Sequence, residues 1–216
     1  MLDLDGTLLD TIPDLAVAAN LMLAELGRAA LDESLIRNFV GKGIPRLVER
    51  SLAGSMEGMV DADVLAQALP IYERCYAEVN GRYTRVYPGV MDGLAELRGR
   101  GFPLACVTNK AARFTTPLLH GKNLANYFAL VISGDTLCRK KPDPLPLTHA
   151  CASFGISPSD MLMIGDSLND AEAARAAGCP VFCVTYGYNE GRDVRDLDID
   201  AIVTSLLEAT RLIQKA

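Results

Sequence analysis

From Gly101 to the C-terminus the chain alternates short apolar runs with amphipathic stretches, and this alternation restricts the fold more than any other feature. Apolar runs occur at 102–107, 129–133, 161–164, 180–184 and 201–203, separated by helical patterns at 111–122, 144–154, 168–177 and 206–215. Strands apolar on both faces belong to a parallel sheet covered by helices on each side. The expected fold class is α/β, a doubly wound parallel sheet. In such sheets, ligands bind beyond the carboxyl ends of the strands.

The first ten residues, MLDLDGTLLD, read as a further strand running into a turn. Residues two apart in a strand share a side, so Asp3 and Asp5 project together, with Gly6 turning the chain behind them. Two adjacent carboxylates repel unless a cation or a shared proton relieves them, and Mg²⁺ is suited to oxygen ligands. Asp-Gly-Thr is also ordinary turn sequence, so this segment alone leaves a plain turn open. A strand ending at Asp3 would ordinarily begin several residues upstream of Met1. Whether such residues exist in the natural protein is left open.

Between this strand and the one at 102–107 lie about a hundred residues, where a crossover needs roughly a dozen. They read as helical. Ile12, Leu15, Ala16, Ala19, Met22, Leu23 and Leu26 follow helical spacing up to Gly27, a C-cap residue. Further helices are expected at 32–40, 45–52 and 62–80, then a crossover helix at 89–100. The expected organisation is a helical domain, 12–87, inserted into a core made of 1–11 and 88–216.

The net charge of −6 argues against a nucleic-acid partner, and the basic runs Arg98-Gly-Arg100 and Arg139-Lys140-Lys141 are too short to change that. No apolar stretch reaches membrane-spanning length and no signal peptide opens the chain, so a cytoplasmic protein is expected. The six cysteines contain no C-x-x-C pair, and only His120 and His149 are available beside them. Buried free thiols are expected, not a zinc site.

Four polar clusters fall where strands end: Asp3-Leu-Asp5-Gly6-Thr7, Thr108-Asn109-Lys110, Arg139-Lys140-Lys141-Pro142-Asp143-Pro144 and Gly165-Asp166-Ser167-Leu168-Asn169-Asp170. Each has a simpler reading. Thr108 and Asn109 are good N-caps, Lys141 reads equally as a solvated loop charge, and Ser167-x-x-Asp170 fits a capping box. Gathered on one sheet edge, however, they supply what phosphoryl transfer needs. Carboxylates can hold a metal and attack phosphorus, while a hydroxyl, backbone N–H groups and a lysine hold the oxygens.

With these four motifs in order, the chain resembles the haloacid dehalogenase superfamily of phosphatases over its whole length. The resemblance implies a Rossmann-like core and a four-helix cap. It also implies two-step chemistry, with Asp3 as nucleophile carrying an aspartyl-phosphate and Asp5 as acid, then base. Thr108, the Asn109 backbone and Lys141 would bind the phosphoryl group near Gly6. Mg²⁺ would sit on Asp3, the Asp5 carbonyl and Asp166, with Asp170 a direct, water-mediated or lysine-orienting partner. Dehalogenases of the superfamily lack the second aspartate, so Asp5 speaks against that activity.

Within the superfamily, Val107-Thr-Asn-Lys110, Lys-Lys-Pro-Asp-Pro, Thr185-Tyr-Gly-Tyr188 and Phe39-Val-Gly-Lys-Gly43 resemble bacterial phosphoglycolate phosphatases. A small phosphorylated metabolite bearing a carboxylate would need a cationic or N–H-rich contact from the cap. Lys42, at a helix N-terminus, and Arg46 one turn on are the candidates, although an exposed interhelix turn explains them equally well. A sugar phosphomutase or a broader small-phosphate or pyrophosphate hydrolase shares the core motifs. A phosphorylation-sensing receiver module shares only the clustered acids, hydroxyl and lysine. The assembly is expected to be a monomer or homodimer.

Overall fold

In the computed structural model, which describes residues 1–214, the sheet is knitted together by its first residues. The chain runs from residues 1–3 into strand β1 (Leu9–Asp10) and then four helices: α1 (Ile12–Glu25), α2 (Glu33–Phe39), α3 (Ile44–Ala53) and α4 (Ala62–Val79). It returns through β2 (Arg85–Val86) and α5 (Val90–Gly99). There follow β3 (Ala105–Val107), α6 (Ala112–Gly121), β4 (Leu130–Ile132) and α7 (Leu145–Phe154). The chain closes with β5 (Met163–Gly165), α8 (Leu168–Ala177), β6 (Val181–Val184), β7 (Ala201–Val203) and α9 (Leu206–Leu212).

β3 pairs with β4, and β5 with β6 and β6 with β7, all in parallel. Leu2 bridges both groups, lying parallel to Cys106 on one side and Ile164 on the other. Its N–H donates to the Ala105 carbonyl at 2.8 Å, while the Asp3 N–H donates to the Ile164 carbonyl at 3.0 Å. The sheet order is thus β4, β3, residues 1–3, β5, β6, β7. From residues 1–3 the chain moves first to one side of the sheet and later to the other. Such a switch point opens a crevice beyond the strand ends, and Asp3 stands at its mouth.

The apolar runs form strands as expected: β7 fills its run, and the other ladders start later than theirs. The helix expected over 206–215 ends at Leu212, and residue 215 lies outside the described residues. The first segment departs from strand geometry already at Asp3. The Leu4 carbonyl accepts from the N–H groups of Leu8 and Leu9, both at 3.0 Å, winding residues 4–9 into a tight loop.

α1 buries Ile12, Leu15, Ala16, Ala19, Met22 and Leu23, a helical stripe that packs with residues of α2, α3 and α4, including Phe39, Leu47, Val48, Tyr72 and Tyr76. The two chain segments joining these helices to the sheet are stitched together. β1 and β2 pair antiparallel, a ladder of two residues per strand that sequence periodicity does not reveal.

Asp14 is also fully buried and accepts from the N–H groups of Gly81 at 2.8 Å, Tyr83 at 2.7 Å and Thr84 at 3.2 Å. A buried carboxylate with several donors is well satisfied, so Asp14 clamps the exit segment onto α1. Five of the six cysteines are buried free thiols; Cys138 is exposed.

Candidate active site

The strand ends deliver their side chains to one small cavity of about 60 Å³. Asp3 and Asp5 come from the first loop, Thr108, Asn109 and Lys110 from the end of β3, and Lys141 from the loop before α7. Asp166, Ser167 and Asn169 come from the β5–α8 junction. α1, α4, the α2–α3 loop and the start of α3 roof it with Leu15, Tyr76, Val40, Gly41, Gly43, Ile44 and Leu47. At about 10–15 Å³ of such volume per water, it holds only a few small groups.

Lys141 is 3% exposed, and its ammonium faces three oxygens. It donates to the Val107 carbonyl at 2.7 Å and to Asp170 Oδ1 at 2.6 Å, and Asp3 Oδ1 lies 2.9 Å away. Burial would strip its charge, but the carboxylates of Asp170 and Asp3 outweigh it and raise its pKa. Lys141 is a fixed cation in a dry site, not a solvated loop charge.

Asp170 satisfies both readings the sequence allowed. Its Oδ2 takes the Ser167 backbone N–H at 3.2 Å and the Ser167 hydroxyl at 2.7 Å, which caps α8. It also accepts from the Asp166 N–H at 3.2 Å. Its other oxygen orients Lys141.

Asp166 is held from two sides: the Thr7 hydroxyl donates to Oδ1 at 2.9 Å and the Tyr188 N–H to Oδ2 at 2.6 Å. Gly6 has φ +90°, and a side chain there would place its Cβ 2.2 Å from Asp166 Oδ2. Gly187 is equally constrained, because a Cβ would fall 2.2 Å from that of Asp166. Both glycines let backbone close around the acid. Gly6 therefore shapes the site from behind Asp166 and does not line the cavity.

Asp3, Asp166 and Asp170 present carboxylate oxygens within 4.8 Å of one another, all three residues buried. Burial pushes the Asp3 carboxyl up to about 7, opposed by Lys141 and reinforced by Asp170 and Asp5. Burial, followed by Asp3 and Asp170, pushes Asp166 well above the usual carboxylate range. Asp3 Oδ1 has no hydrogen-bond partner, its contact with Lys141 being an ion pair outside hydrogen-bonding geometry. Three carboxylates (Asp3, Asp5 and Asp166) and two ammonium groups line the cavity, with the Asp170 carboxylate behind Lys141, an excess of negative charge that a hard divalent cation with oxygen ligands relieves.

Lys110 completes the constellation. Its ammonium donates to Asp5 Oδ1 at 3.0 Å and Oδ2 at 3.3 Å and lies 4.9 Å from the centroid of the Tyr76 ring on α4. Thr108 accepts the Lys110 backbone N–H on its hydroxyl oxygen at 3.2 Å. The Asn109 side-chain amide donates to the Gly41 carbonyl at 3.1 Å and to the Lys141 carbonyl at 2.9 Å, tying the roof loop to the floor.

Two residues singled out on the helical segment do not reach the cavity. Arg46 turns away from the cavity: it pairs with Glu49 and donates to the carbonyls of Met56 at 3.0 Å and Gly58 at 3.5 Å, an arrangement set by how residues 56–58 fold back on α3. Lys42 is exposed and its side chain does not line the cavity; its carbonyl takes the Lys140 ammonium at 2.9 Å. From this turn Val40 and the two glycines flanking Lys42 face the site.

Residues 1–184 match the family model for haloacid dehalogenase-like hydrolases. The chain belongs to this family. As a haloacid dehalogenase-like hydrolase it is similar to curated phosphoglycolate phosphatases. It is 62% identical to that of Nitrosospira multiformis and 54% to that of Thiobacillus denitrificans, each across the whole chain and 95% of the relative. A solved "predicted phosphoglycolate phosphatase" from Haemophilus somnus superposes with a TM-score of 0.93 at 31% identity, over 99% of this chain and 96% of that one.

Sequence reading did not assign roles to Lys110, Tyr76, Tyr188 or Asn169 in this hydrolase. Tyr188 lay inside a quoted motif; its backbone N–H binds Asp166 and its hydroxyl binds Leu9 and Asp10 of β1. The others act through partners far away in sequence. No helix among the described residues is long and apolar enough to cross a membrane.

Proposed function

We propose that the chain hydrolyses 2-phosphoglycolate to glycolate and phosphate through an aspartyl-phosphate on Asp3. The observation that carries the reading is the buried Asp3–Lys141–Asp170 array at a strand-end switch point, in a chain 62% identical to a protein named for that activity. Residues 12–87 serve as the cap and 1–11 with 88–216 as the catalytic core.

Asp3 attacks phosphorus while Lys141, the Thr108 hydroxyl and the Asn109 backbone hold the phosphoryl oxygens. Asp5 gives a proton to the leaving glycolate oxygen. It then takes one from the water that cleaves the aspartyl-phosphate, regenerating Asp3 and releasing phosphate. Asp3, the Asp5 carbonyl and Asp166 are the residues that would hold Mg²⁺, with Asp170 orienting Lys141 behind them. When bound, the ion supplies positive charge between the anionic nucleophile and the dianionic ester. The protein acts in the cytoplasm on a small phosphorylated metabolite, as a monomer or homodimer, without nucleic acid or membrane.

The test is Mg²⁺-dependent phosphate release from 2-phosphoglycolate beside sugar phosphates, nucleotides and pyrophosphate. Strong preference for 2-phosphoglycolate supports the reading. Preference for another ester moves the substrate elsewhere, and phosphoryl return to a sugar would make the chain a mutase.

A further inference from the structure

Resting on the substrate reading above, we infer that Lys110 and Tyr76 form the subsite that recognises the carboxylate of the substrate. The cation expected on the cap comes instead from the end of β3. Lys110 and Lys141 are the two cationic side chains among the residues lining the cavity. Lys141 is committed: it donates to the Val107 carbonyl and to Asp170 and is ion-paired with Asp3.

Lys110 is not. Its side chain is 4% exposed, and its hydrogen bonds and ion pairs go to the single carboxylate of Asp5, met edge-on. An ammonium has three protons to place, so capacity remains.

A second observation points to the same place. Tyr76 lines the cavity and is completely buried, yet its hydroxyl has no hydrogen-bond partner. Burying a hydroxyl unpaired costs about 1–3 kcal/mol, and such groups are rare without a role. Burial and the neighbouring Asp5 and Asp14 charges push its pKa up, so it stays a neutral donor.

Among the roof side chains, Leu15, Val40, Ile44 and Leu47 carry no charge, and Gly41 and Gly43 offer backbone alone. A two-carbon acid ester whose phosphoryl group meets Asp3 and Lys141 has Lys110 as the remaining cationic side chain of the cavity, and its carboxylate is placed between the Lys110 ammonium and the Tyr76 hydroxyl. Lys110 comes from the core and Tyr76 from α4, so both sides must be closed for the carboxylate to be held. A substrate lacking it does not draw them together.

The test compares 2-phosphoglycolate with ethyl phosphate, a two-carbon ester without the carboxylate, as the ratio of kcat/KM in wild type, Lys110→Met, Lys110→Arg and Tyr76→Phe. Because Lys110 also touches Asp5, Lys110→Met slows both esters. The expected result is that the ratio falls at least roughly tenfold, chiefly through KM for 2-phosphoglycolate, with partial recovery in Lys110→Arg and a smaller fall in Tyr76→Phe. Equal losses on both esters in Lys110→Met, or an unchanged ratio in Tyr76→Phe, overturn the subsite and leave the phosphatase reading standing. A wild type that does not prefer 2-phosphoglycolate overturns the substrate reading, and the subsite with it. If Lys110→Met does not fold, as judged by circular dichroism, Tyr76→Phe and Lys110→Arg decide on the same ratio.

Discussion

The Lys141 ammonium stands 2.6 Å from Asp170 Oδ1 and 2.9 Å from Asp3 Oδ1, so one buried cation joins the end of the first strand to the start of α8. Asp170 spends its second oxygen on Ser167 and on the backbone of Asp166. It therefore positions Lys141 more than it offers itself to an ion.

Asp170→Asn should lower kcat by roughly 10²–10³ and destabilise the fold by about 3 kcal/mol, since removing one partner leaves Lys141 a poorly compensated buried charge. Mg²⁺ affinity should fall less than in Asp166→Asn. Calorimetric titration of both variants with Mg²⁺ checks this; equal losses would make Asp170 a metal ligand.

The clamp on the linker makes an independent prediction. Asp14→Ala strips the acceptor from three backbone N–H groups, each costing about 1–3 kcal/mol when buried and unpaired. Urea unfolding should show a loss of about 3 kcal/mol or more. A loss below about 1 kcal/mol would mean that water replaces the carboxylate.

Stability should also couple to pH and Mg²⁺. The Asp3 carboxyl titrates near 7 in the folded chain and at 3.8 ordinarily. Between those values the folded state holds the extra proton, so raising pH across this window lowers the stability of the metal-free protein. A cation on Asp3 takes the place of that proton. The rise in Tm on adding a fixed Mg²⁺ concentration should therefore be larger at pH 8 than at pH 5, read by scanning calorimetry. An equal rise at both would show that no raised carboxyl faces the ion.

Gly6→Ala should disable the site without replacing a charged group. Its Cβ would collide with Asp166 Oδ2, and its φ of +90° disfavours any side chain. The loss should appear as at least roughly tenfold weaker Mg²⁺ activation, and activation like that of wild type would contradict the close packing of the first loop on Asp166.

What was legible in the sequence was whatever depends on near neighbours. Continuous apolar runs reveal buried parallel strands, and an acid directly after such a run, as at Asp166, falls on the strand-end edge. Ser167-x-x-Asp170 is a local cap. What was hidden depends on contacts distant along the chain. Lys110 meets Asp5 across 105 residues, and Asp14 meets Thr84 across 70. The placement of Arg46 was hidden because the carbonyls that capture it belong to an irregular loop with no sequence signature.

The most direct test of Asp3 as nucleophile is the kcat for phosphate release from 2-phosphoglycolate by Asp3→Asn, with circular dichroism confirming an intact fold. Loss of the attacking oxygen anion should lower kcat by at least roughly 10⁴, and phosphate should be trapped on Asp3 of wild type but on no residue of the variant. A folded Asp3→Asn enzyme within about tenfold of wild type would remove Asp3 as nucleophile and with it the two-step mechanism.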